Sequence, residues 1–206
     1  MTVPAPRRRS HWGWGYEDAR PVLEEVRAAA AGIVGHLGFG STDVEAPVAL
    51  EAVSLPAPRI AAPDAPWART DDYERAAHHY GQAYRDVVRA FRGEFPHPPD
   101  VVAHPRDEAE VEAVLAWAAD ADVAVVPWGG GTSVVGGLEL ADPGAHSGVV
   151  TLDLGALDRM LEVDTVSRAA RIQAGATGPV LEAQLAEHGL TLRHYPQSFE
   201  LATLGG

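Results

Sequence analysis

The chain has 206 residues, 46% of them hydrophobic and 22% charged, with a formal net charge of −13 and no cysteine. That balance describes a globular protein with length enough for one or two cores. The acidic charge excludes a phosphate-neutralising face for nucleic acid or anionic membrane, and the missing thiols exclude disulfides, thiolate nucleophiles and cysteine metal sites. All 16 basic residues are arginine, which also excludes lysine Schiff-base and pyridoxal phosphate chemistry.

Arg7, Arg8 and Arg9 imitate the basic start of a secretory signal, but Ser10 to Asp18 is polar and aromatic and carries no apolar h-region. No segment is apolar enough to span a bilayer. The expectation is a cytoplasmic protein without a transmembrane segment. Pro21 in a first turn, Glu24 and Glu25 at the positive helix end, and Val22, Val26, Ala29, Ile33 and Leu37 at helical spacing predict an amphipathic helix stopped by Gly38. Ala46 to Pro66 holds five prolines and reads as a linker.

A longer helix is predicted from Asp71, whose spacing to Glu74 suits a capping box, to Gly93. Tyr80, Tyr84, Val87, Val88 and Phe91 form its apolar face. His78 and His79 are adjacent, about 100° apart on a helix, and cannot chelate one ion as an i, i+4 pair could; no metal site is expected. A second region begins near Asp100, with a strand at Val101 and Val102 and a capped helix bearing Val111, Val114, Leu115 and Ala118. A strand then ends at Pro127, and Trp128 leads into three glycines. Further strands are predicted at Val149–Leu154, Met160–Val163 and Ala170–Ala174, and a last helix at Pro179–His188. The fold class is α+β without tandem repeats: a helical region with a proline-rich linker over 1–99, and a second domain over 100–206.

The run V-P-W-G-G-G-T-S is an anion cradle, because glycines tolerate positive φ and lack the Cβ that would keep backbone N–H groups from a phosphate. It is not a Rossmann turn, since Val134 stands where the third glycine is needed. Nor is it a Walker A loop, since Gly136 is followed by Gly137 and Leu138 rather than by lysine. The segment resembles the pyrophosphate-binding loop of the vanillyl-alcohol oxidase and p-cresol methylhydroxylase (PCMH-type) superfamily of FAD enzymes. Some sixty residues on, H-Y-P-Q-S-F-E-L-A-T-L-G-G at His194 to Gly206 is similar to a second motif of that superfamily, with Gln197 in place of the usual aspartate. An amide in that place keeps an acceptor and adds a donor.

The resemblance implies a PCMH-type FAD-binding domain, cut short at the C-terminus, whose cofactor contacts are Pro127, Trp128, Gly129, Gly130, Gly131, Thr132 and Ser133 together with Gln197, Ser198, Phe199, Glu200, Leu201, Ala202 and Thr203. Ser198 and Thr203 would supply hydroxyls, helped by main-chain N–H groups. Where the superfamily links flavin covalently a histidine commonly follows the glycines, and Thr132 occupies that place, so the FAD is expected to be non-covalent. H-W-G-W-G-Y-E-D at His11 to Asp18, the helix at Asp71 to Phe95, and Val163 to Leu185 resemble one branch, the alkylglycerone-phosphate synthases. That branch implies exchange of the acyl chain of acyl-dihydroxyacetone phosphate for a fatty alcohol, a lipid substrate, and catalytic residues beyond residue 206. The alternatives are a D-2-hydroxy-acid dehydrogenase using the same cradle on a small-molecule substrate, and a flavin-free binding module. A homodimer is compatible with either enzyme, and no nucleic-acid partner is expected.

Overall fold

The computed structural model describes residues 7–206. Helix α1 (Leu23–Leu37) begins where the Glu25 carboxylate accepts the N–H of Val22 at 3.1 Å and ends at Gly38 in the left-handed conformation, φ 74°. Pro21 therefore precedes the N-cap instead of occupying the first turn. No residue of α1 is buried, and Ile33 is 58% exposed; its apolar stripe is not used by the core of the described residues.

The proline-rich stretch is irregular apart from one 3-10 turn at Leu50–Ala52 and leads into a short strand, β1 (Ala68–Arg69). The helix predicted from Asp71 starts as expected, the Asp71 side chain accepting the N–H of Glu74 at 3.1 Å. It is two helices, however, α2 (Asp72–Ala77) and α3 (Tyr84–Phe91). At the break, the Gln82 N–H donates to the Ser133 carbonyl at 2.6 Å, and a Cβ on Gly81 would lie 2.3 Å from that same oxygen. Docking on the glycine loop thus overrides a helical pattern that the local sequence would continue. Tyr80 is buried with Ala76, Ala90 and Phe95, whereas Tyr84 points to solvent.

Parallel strands covered on both faces need nearly unbroken apolar runs, and three such runs build the sheet: β2 (Val101–Ala103), β3 (Val123–Trp128) and β4 (Gly148–Asp153). Their order is β1-β2-β4-β3, with β1 antiparallel at one edge and the rest parallel. Helix α4 (Glu108–Asp120), N-capped by Asp107, makes the crossover from β2 to β3. Val114 and Ala118 are buried from it against Trp67, Val101, Val123 and Val150, while Leu115 is exposed, so the packing face is narrower than predicted. Asp100, just before β2, is buried and accepts the N–H groups of Val149 and Arg59, each at 2.7 Å, beside the Arg59 guanidinium. It fastens the proline-rich segment to the sheet.

A two-stranded hairpin, β5 (Met160–Asp164) with β6 (Ala169–Ile172), and helix α5 (Gly178–Ala186) follow. Ala176, Leu181 and Leu185 form a second small core with Met160, Ile172 and Leu190. The architecture is mixed α+β, as the sequence indicates.

Candidate cofactor site

The glycine loop leaves the sheet at the C-terminal end of β3, where ligands of parallel sheets are commonly held. Both of its anchored carbonyls face protein: Gly130 accepts from the Arg9 guanidinium at 2.6 Å and Ser133 from Gln82. Among the described residues, none of the N–H groups from Gly129 to Ser133 has a protein acceptor. A row of adjacent main-chain donors, with the Gly130 and Ser133 carbonyls tied elsewhere, fits the doubly charged diphosphate of a dinucleotide.

The glycines serve a second purpose that spacing alone did not reveal. A Cβ on Gly129 would lie 2.1 Å from Thr203 Oγ1, one on Gly130 would lie 1.6 Å from the Leu201 carbonyl, and one on Gly131, at φ 64°, would strike the Trp128 ring at 2.3 Å. The loop therefore packs directly on the second motif. The junction sets Gly130 against the Leu201 main chain and Gly129 against the Thr203 side chain.

The second motif is a compact turn in which Phe199 donates to Pro196, and Leu201 and Ala202 both donate to Ser198. Those three N–H groups are spent within the turn, whereas the Ser198 and Thr203 hydroxyls and the Gln197 amide have no partner among the described residues. Thr203 bridges back to Thr177. Gln197, Ser198, Phe199, Glu200 and Leu201 line one cavity of about 690 Å³ with Thr132 and Trp14. Pro127, Trp128, Gly129 and Thr203 line another, of about 250 Å³. Ala202, again with Phe199 and Thr203, lines a third cavity shared with α5. The predicted residues thus surround the loop on two sides rather than one.

Behind Trp128 lies a group the sequence reading missed. The His78 ring sits 5.0 Å from the Trp128 ring, and its Nε2 is 3.1 Å from Asp153 Oδ2. His104 Nε2 is 2.9 Å from Glu74 Oε2. Burial works against the Asp153 and Glu74 carboxylates, yet hydrogen bonds and the charges of the histidines hold both below the usual carboxylate range. For His104, burial is outweighed by Glu74 and Asp153, which raise it. The expectation of no metal set weighed only His78 with His79. The fold separates those two: His79 is buried against Tyr80, and the sequence signal overlooked was Glu74 and His78, spaced i, i+4.

The sequence likewise marks Arg9 only as part of a basic start. Burial lowers the pKa of its guanidinium, Tyr73 Oη donates to its carbonyl, and its side chain reaches the loop.

Comparison with known proteins agrees with this geometry. A family model described as an FAD binding domain matches residues 99–206. The chain is 38% identical over 138 residues to alkyldihydroxyacetonephosphate synthase of Trypanosoma brucei brucei and 36% identical over 138 residues to that of Dictyostelium discoideum, in each case across 67% of this chain and 22% of the relative. A solved structure of an alkyldihydroxyacetonephosphate synthase superposes with a TM-score of 0.82 at 27% identity, covering 96% of this chain and 42% of that one. The chain spans about a fifth of the length of these curated relatives. With more than half of its residues matched and both glycine-loop walls in place, the chain belongs to the PCMH-type FAD-binding domain family.

Proposed function

We propose that this chain is the FAD-holding portion of a flavoenzyme that acts as an alkylglycerone-phosphate synthase, replacing the acyl chain of acyl-dihydroxyacetone phosphate with a fatty alcohol. The observation that carries the reading is the joining of two parts: the region before residue 99 docks on the cradle through Arg9 and Gln82, and the synthase likeness extends over that region as well as over the FAD-binding domain. A cradle alone would serve the sister dehydrogenases equally well.

In this reading the main-chain N–H groups of Gly129 to Ser133 hold the diphosphate, and Thr132, Ser198 and Thr203 supply hydroxyl contacts. Gln197 to Leu201 and Trp14 border the larger cavity, where Phe199, Leu201 and Trp14 keep water from an apolar ligand. Bound there, FAD supplies an electrophilic ring that can bond a substrate carbon. Thr132 has no nitrogen with which to tether the flavin, so the cofactor is held without a covalent link. Residues 1–99 act as a docking region and 100–206 as the cofactor domain.

The test is turnover by the intact polypeptide, loaded with FAD and given acyl-dihydroxyacetone phosphate with a labelled fatty alcohol. Labelled ether lipid and released fatty acid are the expected products. Anaerobic bleaching by a D-2-hydroxy acid, with no ether product, would replace this reading with that of a dehydrogenase.

A further inference from the structure

We infer that Glu74, His78 and His104 form a binding site for a single divalent transition-metal cation, with Asp153 beside it, clamping the region before residue 99 to the FAD-binding domain. This is independent of the reaction the flavin serves.

The argument begins with the donors. All four ring nitrogens of the two histidines face oxygen: His78 Nδ1 lies 2.8 Å from the Glu74 carbonyl, His78 Nε2 3.1 Å from Asp153 Oδ2, His104 Nε2 2.9 Å from Glu74 Oε2, and His104 Nδ1 3.4 Å from Asp153 Oδ2. A neutral imidazole has one N–H and one lone pair. If a cation displaces the proton at His78 Nε2 while the Nδ1–H stays donated to the Glu74 carbonyl, the Nε2 lone pair faces the cluster. That is the arrangement of a metal-ligating histidine, whose second nitrogen is fixed by a backbone carbonyl. One divalent cation would accept the histidine lone pairs and balance the two carboxylates together.

The distances suit such an ion. Glu74, His78 and His104 each offer one ligand atom, and these lie within 4.8 Å of one another. Ligand bonds of about 2.1 Å in a tetrahedral zinc site put neighbouring ligand atoms about 3.4 Å apart, so small side-chain rotations close the cluster around a metal. Glu74 and His78 come from successive turns at the end of α2, while His104 follows β2 and Asp153 ends β4. The second Asp153 oxygen is already held by the Gly155 N–H at 2.7 Å, which fixes the carboxylate with Oδ2 towards the histidines.

The cluster opens on a cavity of about 200 Å³ that Arg9, Gln82, Gly129 and Gly131 also line. A fourth ligand, a water or a phosphate oxygen, has room there. Imidazole and carboxylate donors without thiolate favour zinc, cobalt or nickel over calcium and magnesium.

The experiment is titration of chelator-treated protein with Co²⁺ and with Zn²⁺, followed by calorimetry, by cobalt visible absorption and by the thermal midpoint. One ion per chain at micromolar affinity or tighter, a visible cobalt spectrum and a raised midpoint are expected. His104→Gln and Glu74→Gln should weaken binding at least tenfold, whereas His146→Gln, at the exposed pair with Asp122, should not change it. The midpoint shift of the unmodified protein needs no variant, so misfolding of a mutant cannot mask the answer. The proposal is overturned if the unmodified protein binds no ion stoichiometrically, as when two imidazolium–carboxylate pairs occupy the cluster instead, or if folded His104→Gln binds as tightly as the original.

Discussion

The backbone N–H of Gln82 and the carbonyl of Ser133 meet at 2.6 Å, and through that bond a break between two helices sets the far end of the glycine loop. Gly81 makes the approach possible, because a Cβ there would lie 2.3 Å from the same carbonyl oxygen. Gly81→Ala should push the loop out of place while leaving the parallel sheet intact. We expect FAD affinity to fall at least tenfold, about 1.4 kcal/mol, with unchanged far-ultraviolet dichroism. Equal flavin titration curves for the two proteins would show that the loop does not depend on this contact.

Gly130 is more confined. Its Cβ position lies 1.6 Å from the Leu201 carbonyl, so Gly130→Asp forces the two walls of the site apart and adds a charge where an anion is to be held. The purified variant is expected to be colourless. Stoichiometric yellow cofactor in it would remove this loop from the site.

Covalent attachment makes a separate prediction. Thr132 stands next to the glycines where a linking histidine would be needed, so acid precipitation should leave the flavin in the supernatant. Colour retained by the pellet would contradict a dissociable cofactor.

His11 gives the N-terminal segment a dependence on pH. Burial, with a smaller push from Arg20, outweighs the Val48 carbonyl and Glu17 and lowers its pKa below the ordinary 6.5. The fold therefore favours the neutral ring; its contribution to stability is fully present above about pH 6.5 and is lost as pH falls towards the lowered value. His11→Gln should narrow the difference between urea midpoints measured at pH 7.5 and pH 5. An unaltered difference would place the acid sensitivity elsewhere.

Much of the cofactor domain was legible because its signals are local. The apolar runs of β3 and β4, the Asp107 cap and the glycine string each act through neighbouring residues, and the structure places them within a residue or two of expectation. The divided helix was not legible, since residues 78–83 depart from helical geometry to meet a loop some fifty positions later. The same holds for the glycines: their motif suggested contact with phosphate, whereas Leu201 and Thr203 crowd them from a remote segment. The cluster around Asp153 was hidden for that reason too, its members being scattered from Glu74 to β4. Only the i, i+4 spacing of Glu74 and His78 could have announced it.

The Arg9 guanidinium and the Gly130 carbonyl are 121 positions apart. A ribosome making this protein releases the arginine long before its acceptor exists, and Leu201 later still. The Arg9 side chain and the glycine loop can therefore close on each other, and on the second motif, only late in synthesis, so this part of the pocket forms after the N-terminal segment has long been made.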